Sequence, residues 1–246
     1  LQRTHTIFSE KVRRGEEPIL EEIDVPKNRT WYPFQLAFIL INLAGIADPL
    51  HPDRTGKQEA IADLLLFPTG GGKTEAYLGL TAFTLAMRRL RKDLGGRDAE
   101  NGVAVLMRYT LRLLTLQQFQ RATALICACE MIRQGSIKDG INRWGETPFR
   151  IGLWVGQRAT PNWTTQSDEA VKQDHGQRSR STAAAGSGSP HQLTNCPWCG
   201  SKIEPGKHIK VEKAPSGAGR TFTYCGDRMG KCAFSQRQSP EEGLPI

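Results

Sequence analysis

Three short apolar runs recur along the chain. Each is bounded by glycine, proline or polar residues, which is the pattern of a β-strand buried on both faces. The runs are ADLLLF (62–67), GVAVLM (102–107) and FRIGLWVG (149–156). We therefore predict a strand at each of them.

The segments around these runs have the spacing of helices. PFQLAFILINLAGIA (33–47) opens with proline, which the first turn of a helix tolerates, and predicts a buried helix. A second helix is predicted over 73–94, because arginines near its end and Gly95-Gly96 beyond it are typical of a helix C-terminus. A third is predicted over 115–133, with apolar residues on one face.

The order of these elements predicts the fold class. Strand, helix, strand, helix, strand is typical of an α/β fold, a parallel sheet with helices on both faces, whose ligands lie at the carboxyl ends of the strands. We predict five regions along the chain. They are an N-terminal arm (1–30), an α/β lobe (31–164), a flexible linker or loop rich in Ser, Gln, Ala and Gly (165–194), a cysteine-containing module (195–236) and a truncated tail (237–246).

Composition and charge narrow the possible partners. The formal net charge of +8 favours polyanions, although it is weak support by itself. The start of the chain lacks the apolar core of a secretory signal, and the apolar stretch 34–47 is too short to span a bilayer. We therefore expect a soluble cytoplasmic protein with no membrane partner. The chain lacks an initiator Met, so we expect it to be part of a longer polypeptide.

The strongest motif is FPTGGGKTE (67–75), between a predicted strand and a predicted helix. Its three glycines let backbone N–H groups approach phosphate oxygens. Lys73 supplies a charge to the β and γ phosphates, the Thr74 hydroxyl suits magnesium, and the N-terminus of the helix adds to the field. We predict a P-loop that binds ATP with magnesium. A glycine-rich turn without a ligand is the alternative.

Phe67 stands where the general P-loop pattern has its first glycine, and the resulting x-T-G-x-G-K-T form is that of superfamily 2 helicases. The segments PFQLAFILINL, DLLLFPTGGGKTEAYLGL and AVLMRYTLRLLTLQQFQRA resemble the DrmA family. DrmA proteins are the helicase-like subunits of bacterial DISARM anti-phage defence systems. The resemblance runs from about Trp31 to Gln120 and resumes in the cysteine-rich segment.

The resemblance implies a motor with two RecA-like lobes that hydrolyses ATP, grips DNA and works with other DISARM subunits, including a methyltransferase. This chain would supply a partial first lobe with a zinc ribbon. The implied ATP and magnesium site comprises Thr69, Gly70, Gly71, Gly72, Lys73, Thr74 and Glu75, with Lys73 and Thr74 as the catalytic residues. Phe34 and Gln35 lie where such motors place an adenine-sensing glutamine. A partly exposed helix residue is the alternative for Gln35.

The resemblance also implies a first strand-gripping motif after the second predicted strand. Thr110 and Arg112 lie in it, Gln117 and Gln118 open the following helix, and Arg108 adds charge. Hydroxyl, guanidinium and amide groups near a helix N-terminus suit contacts with the sugar–phosphate backbone. A solvated, salt-bridged helix start is the alternative.

The chain departs from the family in two respects: the acidic DExH motif has no clear counterpart, and the second RecA-like lobe with its arginine finger is absent from the sequence. Asp168-Glu169 is the only Asp-Glu pair after the third predicted strand, and no strand precedes it. We therefore expect this chain to bind nucleotide better than it hydrolyses it. Two other functions stay open. One is a zinc-ribbon module that binds nucleic acid or protein beside a nucleotide-sensing lobe that does not hydrolyse ATP, and the other is an ATPase that remodels protein assemblies.

Four of the six cysteines have the spacing of a metal site. CPWCG (196–200) is a zinc-knuckle sequence, and Cys225 and Cys232 complete the pattern C-x2-C-x25-C-x6-C with Cys196 and Cys199. We predict a structural tetrahedral zinc, with His191 or His208 as alternatives to one cysteine. Cys127 and Cys129 lie on a helix, where core packing is expected. Trp198 and nearby lysines form either a DNA- or partner-contacting surface or a solvated one.

Overall fold

The computed structural model of the protein describes residues 2–55, 61–68, 72–93, 95–109, 112–156, 159–174, 188–213 and 219–246. Most of the regular structure in these ranges is helical. The helices are α1 (Gln2–Arg13), α2 (Leu20–Ile23), α3 (Pro33–Ala47), α4 (Pro52–Thr55), α5 (Lys73–Arg91), α6 (Arg112–Lys138), α7 (Thr164–Asp174) and α8 (Pro205–His208). A single 3-10 turn at Pro26–Asn28 follows α2.

The three helices predicted from the sequence are confirmed as α3, α5 and α6. Helix α3 begins at Pro33, and the Gln35 side chain accepts a hydrogen bond from the Tyr32 N–H at 2.9 Å, which caps the first turn. Helix α5 ends with three arginines in its last turn, where cations stabilise the helix dipole. The burial expected of α3 is partial, because Ile41 is 61% exposed.

The sheet differs from the prediction. Within the described ranges the strands are β1 (Ile209–Glu212) and β2 (Arg220–Thr223), an antiparallel pair in which Ile209 lies opposite Thr223. The segments 62–67, 102–107 and 149–156 form no strand in the described structure. Several of their apolar side chains are exposed, Leu64 by 86%, Leu106 by 88% and Trp154 fully, whereas Phe149 is buried. A strand needs a neighbour to pair its backbone and bury its faces. Among the described residues none of these segments pairs with another strand, although the Ile151 N–H donates to the Pro245 carbonyl at 3.0 Å.

The chain folds as two compact units. The helical unit comprises Thr30–Gln118 and Cys129–Phe149, and the cysteine unit comprises Leu1–Arg29, Phe119–Ala128 and Arg150–Ile246. In the helical unit α3 packs on α5, with the Phe38 and Tyr77 rings in edge-to-face contact at 5.6 Å. In the cysteine unit the core includes Leu193, Tyr224 and Leu244, each about 1% exposed.

The predicted linker and the predicted tail both contribute residues to the cysteine unit. The predicted linker begins with α7, and Leu193 near its end is buried; residues 175–187 lie outside the described ranges. In the predicted tail, the Leu244 N–H donates to the Thr223 carbonyl at 2.8 Å. The Tyr224 hydroxyl donates to the Pro240 carbonyl at 2.7 Å. The tail therefore completes the fold around β2.

No helix among the described residues is both long enough and apolar enough to cross a bilayer.

Candidate functional site

The predicted phosphate loop leads directly into α5. Thr69, Gly70 and Gly71 lie outside the described residues, whereas Gly72, Lys73, Thr74 and Glu75 are described. Gly72 has φ of +90°, in the left-handed region, and a Cβ there would lie 2.7 Å from the Gln35 amide nitrogen. Both observations favour glycine at this position, so the chain turns tightly into the helix that carries Lys73 and Thr74 in its first turn.

The Lys73 ammonium group folds back on the segment before it. Its Nζ donates to the carbonyl of Phe67 and, at 3.2 Å, to that of Pro68. Both acceptors are neutral, and an ammonium group bonds a charged phosphate oxygen more strongly than a neutral carbonyl. Lys73 is thus held beside the N-terminus of α5 by contacts that a phosphate can replace.

Gln35 is the residue that joins α3 to the loop. It is only 3% exposed, so the alternative of a partly exposed helix residue does not describe it. Its carbonyl oxygen caps α3, and its Nε2 donates to the Gly72 carbonyl at 2.7 Å. The amide that the sequence assigns to adenine therefore also fixes the position of the turn before Lys73.

An aromatic stack lies beside this turn. The rings of Phe34 and Phe67 stack with centroids 3.8 Å apart and an interplanar angle of 11°. The Tyr32 ring is nearly parallel to that of Phe34, with centroids 6.1 Å apart and an interplanar angle of 9°. Phe67 replaces the first glycine of the general motif, so its pairing with Phe34 is a feature that the motif alone did not indicate. Flat aromatic faces of this kind suit a purine base.

The predicted strand-gripping residues are only partly described. Thr110 lies outside the described residues, and the side chain of Arg112, the first residue of α6, does as well. Arg108 and Gln117 are exposed, and Gln118 is half-buried with no hydrogen-bond partner for its Oε1 in the described structure. These positions leave contact with a nucleic-acid backbone as a prediction.

The acidic pair Asp168-Glu169 lies on α7, and Asp168 is engaged by lysines. The Lys213 Nζ lies 2.6 Å and the Lys172 Nζ 2.9 Å from the same Asp168 oxygen. Hydrogen bonds from Lys213 and then Lys172 lower the pKa of this carboxyl group. Asp168 therefore has a local ionic role, which agrees with the expectation that it is not a DExH residue.

The four predicted metal ligands come together in the cysteine unit. The Sγ atoms of Cys196, Cys199, Cys225 and Cys232 all lie within 4.8 Å of one another. That spacing matches four sulfurs around one tetrahedral ion with bonds of about 2.3 Å. Four thiols of this type, three of them buried, are compatible with a structural zinc.

Each knuckle of this cluster has its own backbone geometry. In the first knuckle (residues 196–200) the Gly200 N–H donates to the Cys196 carbonyl at 2.9 Å. In the second knuckle (residues 225–237) the Asp227 carboxylate organises the loop, since it accepts hydrogen bonds from three N–H groups. These belong to Met229 (3.1 Å), Lys231 (2.7 Å) and Cys232 (2.8 Å). The hydrogen bonds to Asp227 close the loop of six residues between Cys225 and Cys232. The sequence signal for this loop is an aspartate ahead of a turn that contains glycine.

The environment of the thiols favours deprotonation at two positions, because a hydrogen bond from Cys196 is the main cause that lowers the pKa of both Cys199 and Cys232. Hydrogen bonds from Cys196, Cys225 and Cys232 lower the pKa of the Cys199 thiol. A lowered thiol pKa favours the thiolate, the form that binds metal. The histidine alternatives are engaged elsewhere: His208 Nδ1 accepts the Glu204 N–H at 2.8 Å, and His191 Nε2 lies 3.1 Å from the Ile203 carbonyl.

The other two cysteines have the character of core residues. Cys127 is fully buried in α6, and burial raises the pKa of the Cys129 thiol to about 11. Neither cysteine is part of a disulfide. Their environment agrees with the core packing predicted for them.

The sequence matches no protein-family model. In a match 207 positions long that covers 82% of this chain, it is 41% identical to the DISARM protein DrmA of Bacillus paralicheniformis. The chain is a homologue of part of DrmA. The match confirms the family resemblance predicted from the sequence, and it spans only 17% of the length of DrmA. Most of DrmA therefore has no counterpart in the residues of this chain.

Proposed function

We propose that this chain is the ATP-binding part of a superfamily 2 DNA translocase that acts in DISARM defence against phage DNA. The observation that carries the proposal is the tight turn at Gly72, which places Lys73 at the start of α5. Homology to part of DrmA supports the defence context. The partners are then DNA and other DISARM subunits, in the bacterial cytoplasm.

The residues around the turn fit a magnesium nucleotide. Lys73 would bind the β and γ phosphates, the Thr74 hydroxyl would ligate magnesium, and the N–H groups at the start of α5 would complete the phosphate contacts. Phe34 and Gln35 would bind the adenine, for which the Gln35 amide would have to exchange its contacts with the Tyr32 N–H and the Gly72 carbonyl for contacts with the base. Bound ATP supplies the phosphoryl group whose transfer drives movement along DNA, and the residues named here hold and orient it.

The same proposal accounts for the unpaired apolar segments. We assign 62–67, 102–107 and 149–156 as strands of a RecA-like parallel sheet that forms when further polypeptide pairs with them. Their exposed leucine and tryptophan side chains support this assignment. A cleft of about 1010 Å³ in the helical unit adds support, since α3, α5 and parts of the first two segments line it. A strand from elsewhere in a longer protein would fill such a space.

Titration of a fluorescent ATP analogue in the presence of magnesium tests the nucleotide site. Lys73→Ala removes the only charged contact assigned to the phosphates from this loop. A charge-assisted hydrogen bond is worth about 1.5–3 kcal/mol, so affinity should fall between about 10-fold and somewhat over 100-fold. The matched control is Lys138→Ala, at the last residue of α6, which should bind as the wild type does. Wild-type affinity of Lys73→Ala would overturn the assignment.

The second candidate is a nucleotide sensor that does not hydrolyse ATP. The ion pairs of Asp168 favour it for this chain taken alone, because they leave the one Asp-Glu pair after residue 156 engaged with lysines. Both candidates would hold if this chain bound ATP saturably without releasing phosphate and the longer protein hydrolysed ATP when DNA was added. Binding without hydrolysis in both proteins would favour the sensor.

A further inference from the structure

The cysteine unit has two basic surfaces that look alike in sequence and differ in structure. From their electrostatics we infer that the second knuckle (residues 225–237) is a contact site for the sugar–phosphate backbone of nucleic acid. The inference takes nucleic acid as partner from the proposed function, but it concerns a site separate from the nucleotide loop. Three cations carry it: Arg228, Lys231 and Arg237.

The lysines around α8 and β1 are neutralised by carboxylates. Lys207 pairs with Glu204 at 2.6 Å, and Lys210 pairs with Glu212 at 2.8 Å. Lys213 pairs with Asp168 at 2.6 Å. Because each ammonium group already has a counter-charge, this face offers little net attraction to phosphate. The lysines that made the ribbon look basic are therefore a poor basis for binding a polyanion.

The second knuckle has the opposite character. Arg228, Lys231 and Arg237 are all exposed, and none forms an ion pair with a carboxylate in the described part of the chain. Asp227 is the acid within the knuckle, and backbone N–H groups surround its oxygens. The thiols of Cys225 and Cys232 are buried, so solvent meets the cations and not the sulfur cluster. Three unpaired cations on one loop suit phosphates.

The knuckle also holds its turn and the stem of Arg237 in place. Gly230 has φ of +63°, and its carbonyl accepts the Gln238 Nε2 at 3.0 Å. The stem of Arg237 packs against Gly230, with its Cδ only 3.1 Å from where a Cβ would stand. The turn therefore has little loop entropy left to lose on binding. Backbone contacts of this type position a nucleic acid without reading its sequence.

Met229 gives the knuckle an apolar tip. It is 65% exposed and lies in the chain beside Arg228, at the turn that Asp227 closes. An apolar side chain among cations matches the alternation of apolar sugar or base and charged phosphate in a nucleic acid. An acidic protein surface would satisfy the cations but would not need the methionine. The tip therefore favours nucleic acid as the partner.

The test compares two triple variants of equal charge change in fluorescence anisotropy with a labelled single-stranded or duplex DNA oligonucleotide. The knuckle variant is Arg228→Gln with Lys231→Gln and Arg237→Gln, and the control is Lys207→Gln with Lys210→Gln and Lys213→Gln. The knuckle variant should bind at least about 10-fold more weakly. It should also reduce the slope of log K against log salt by about 2–3, since each phosphate contact contributes about 0.7–0.9. The control should keep most of the wild-type slope.

Further readouts separate this inference from others. Met229→Ser should weaken binding without changing the salt slope. Zinc content of one ion per chain in every variant would show that the ribbon is intact. ATP affinity should stay at the wild-type value in the knuckle variant, and Lys73→Ala should keep the wild-type salt slope. Three results would overturn the inference. They are equal losses of affinity in both triple variants, an unchanged salt slope in the knuckle variant, and no DNA binding by the wild type at a low salt concentration of about 50 mM.

Discussion

Glu130 of α6 is 2% exposed and makes the most extensive set of buried side-chain contacts described for a carboxylate in the helical unit. One oxygen accepts Arg133 Nη2 at 2.6 Å and Gln134 Nε2 at 2.9 Å. The other accepts the Phe149 N–H at 2.9 Å. Arg133 in turn donates to the Glu146 carbonyl at 2.8 Å, so the pair attaches the loop before Phe149 to α6.

Glu130→Ala should destabilise the protein strongly. It removes the acceptor for two side chains and one backbone N–H, and it leaves the Arg133 charge buried. Loss of one partner of a buried ion pair costs about 3–5 kcal/mol. The matched control is Glu242→Ala, because Glu242 pairs with Arg150 at 3.1 Å in an exposed setting and its loss should cost less than about 1 kcal/mol. Urea unfolding measures both. Equal effects would show that the Glu130 network is not the determinant assigned here.

At the scale of elements, the contact between α3 and α5 depends on a glycine. Gly79 lies in the middle of α5, where a Cβ would stand 2.8 Å from the Trp31 Cη2 and 3.0 Å from the Ile39 Cδ1. The absence of a side chain therefore lets the two helices approach closely. Since α3 carries Gln35 and α5 begins at Lys73, this contact also sets the spacing of the candidate nucleotide site.

Gly79→Leu should destabilise the helical unit, because the new side chain must displace Trp31 and Ile39. Overpacking of this kind costs about 1–3 kcal/mol. Gly135→Leu in α6 is the control, since a Cβ there meets no atom within 4 Å. That substitution should be neutral or stabilising by up to about 1 kcal/mol, because leucine favours the helix more than glycine does. Thermal unfolding compares them, and a stable Gly79→Leu would contradict the close approach.

The elements also show which structure the sequence alone can predict. The bounds of α3 and α5 depend on local signals, namely Pro33 at a start, Gly72 before a start and arginines at an end, so the predictions came close. Helix α6 extends beyond its prediction to Lys138. The cysteine cluster was predictable from CPWCG, whereas the closure of the second knuckle depends on Asp227 and its three N–H contacts. The Phe34–Phe67 stack joins residues that are 33 positions apart in the sequence, and no sequence motif indicates a contact at that separation.

At the scale of the molecule, the strands are the elements for which the sequence prediction and the structure differ. A helix satisfies its backbone hydrogen bonds within one segment, but a strand depends on a partner that lies elsewhere in the chain or outside it. The apolar composition of 62–67 therefore predicts that the segment can be buried, not that a neighbour is present. Each of these segments leaves exposed apolar side chains, Leu64, Leu106 and Trp154 among them, and apolar surface of this kind, where it is contiguous, is typical of a place of further contact.

The double variant Leu64→Lys with Leu66→Lys tests whether the segment 62–67 is exposed in the 246-residue chain and buried in a longer one. Both side chains are more than four-fifths exposed, at 86% and 87%, so the variant should change the free energy of unfolding of this chain by no more than about 0.5 kcal/mol at each site. In a longer DrmA-like protein with a completed sheet, the same change places two charges in a core and should cost more than about 2 kcal/mol for each charge. Leu78→Lys is the control. Because Leu78 is 4% exposed, this substitution should destabilise both proteins. Chemical unfolding of the two lengths side by side decides the question: a large loss in the short chain would mean that the segment is already buried there, and no loss in the long one would remove the support for a parallel sheet.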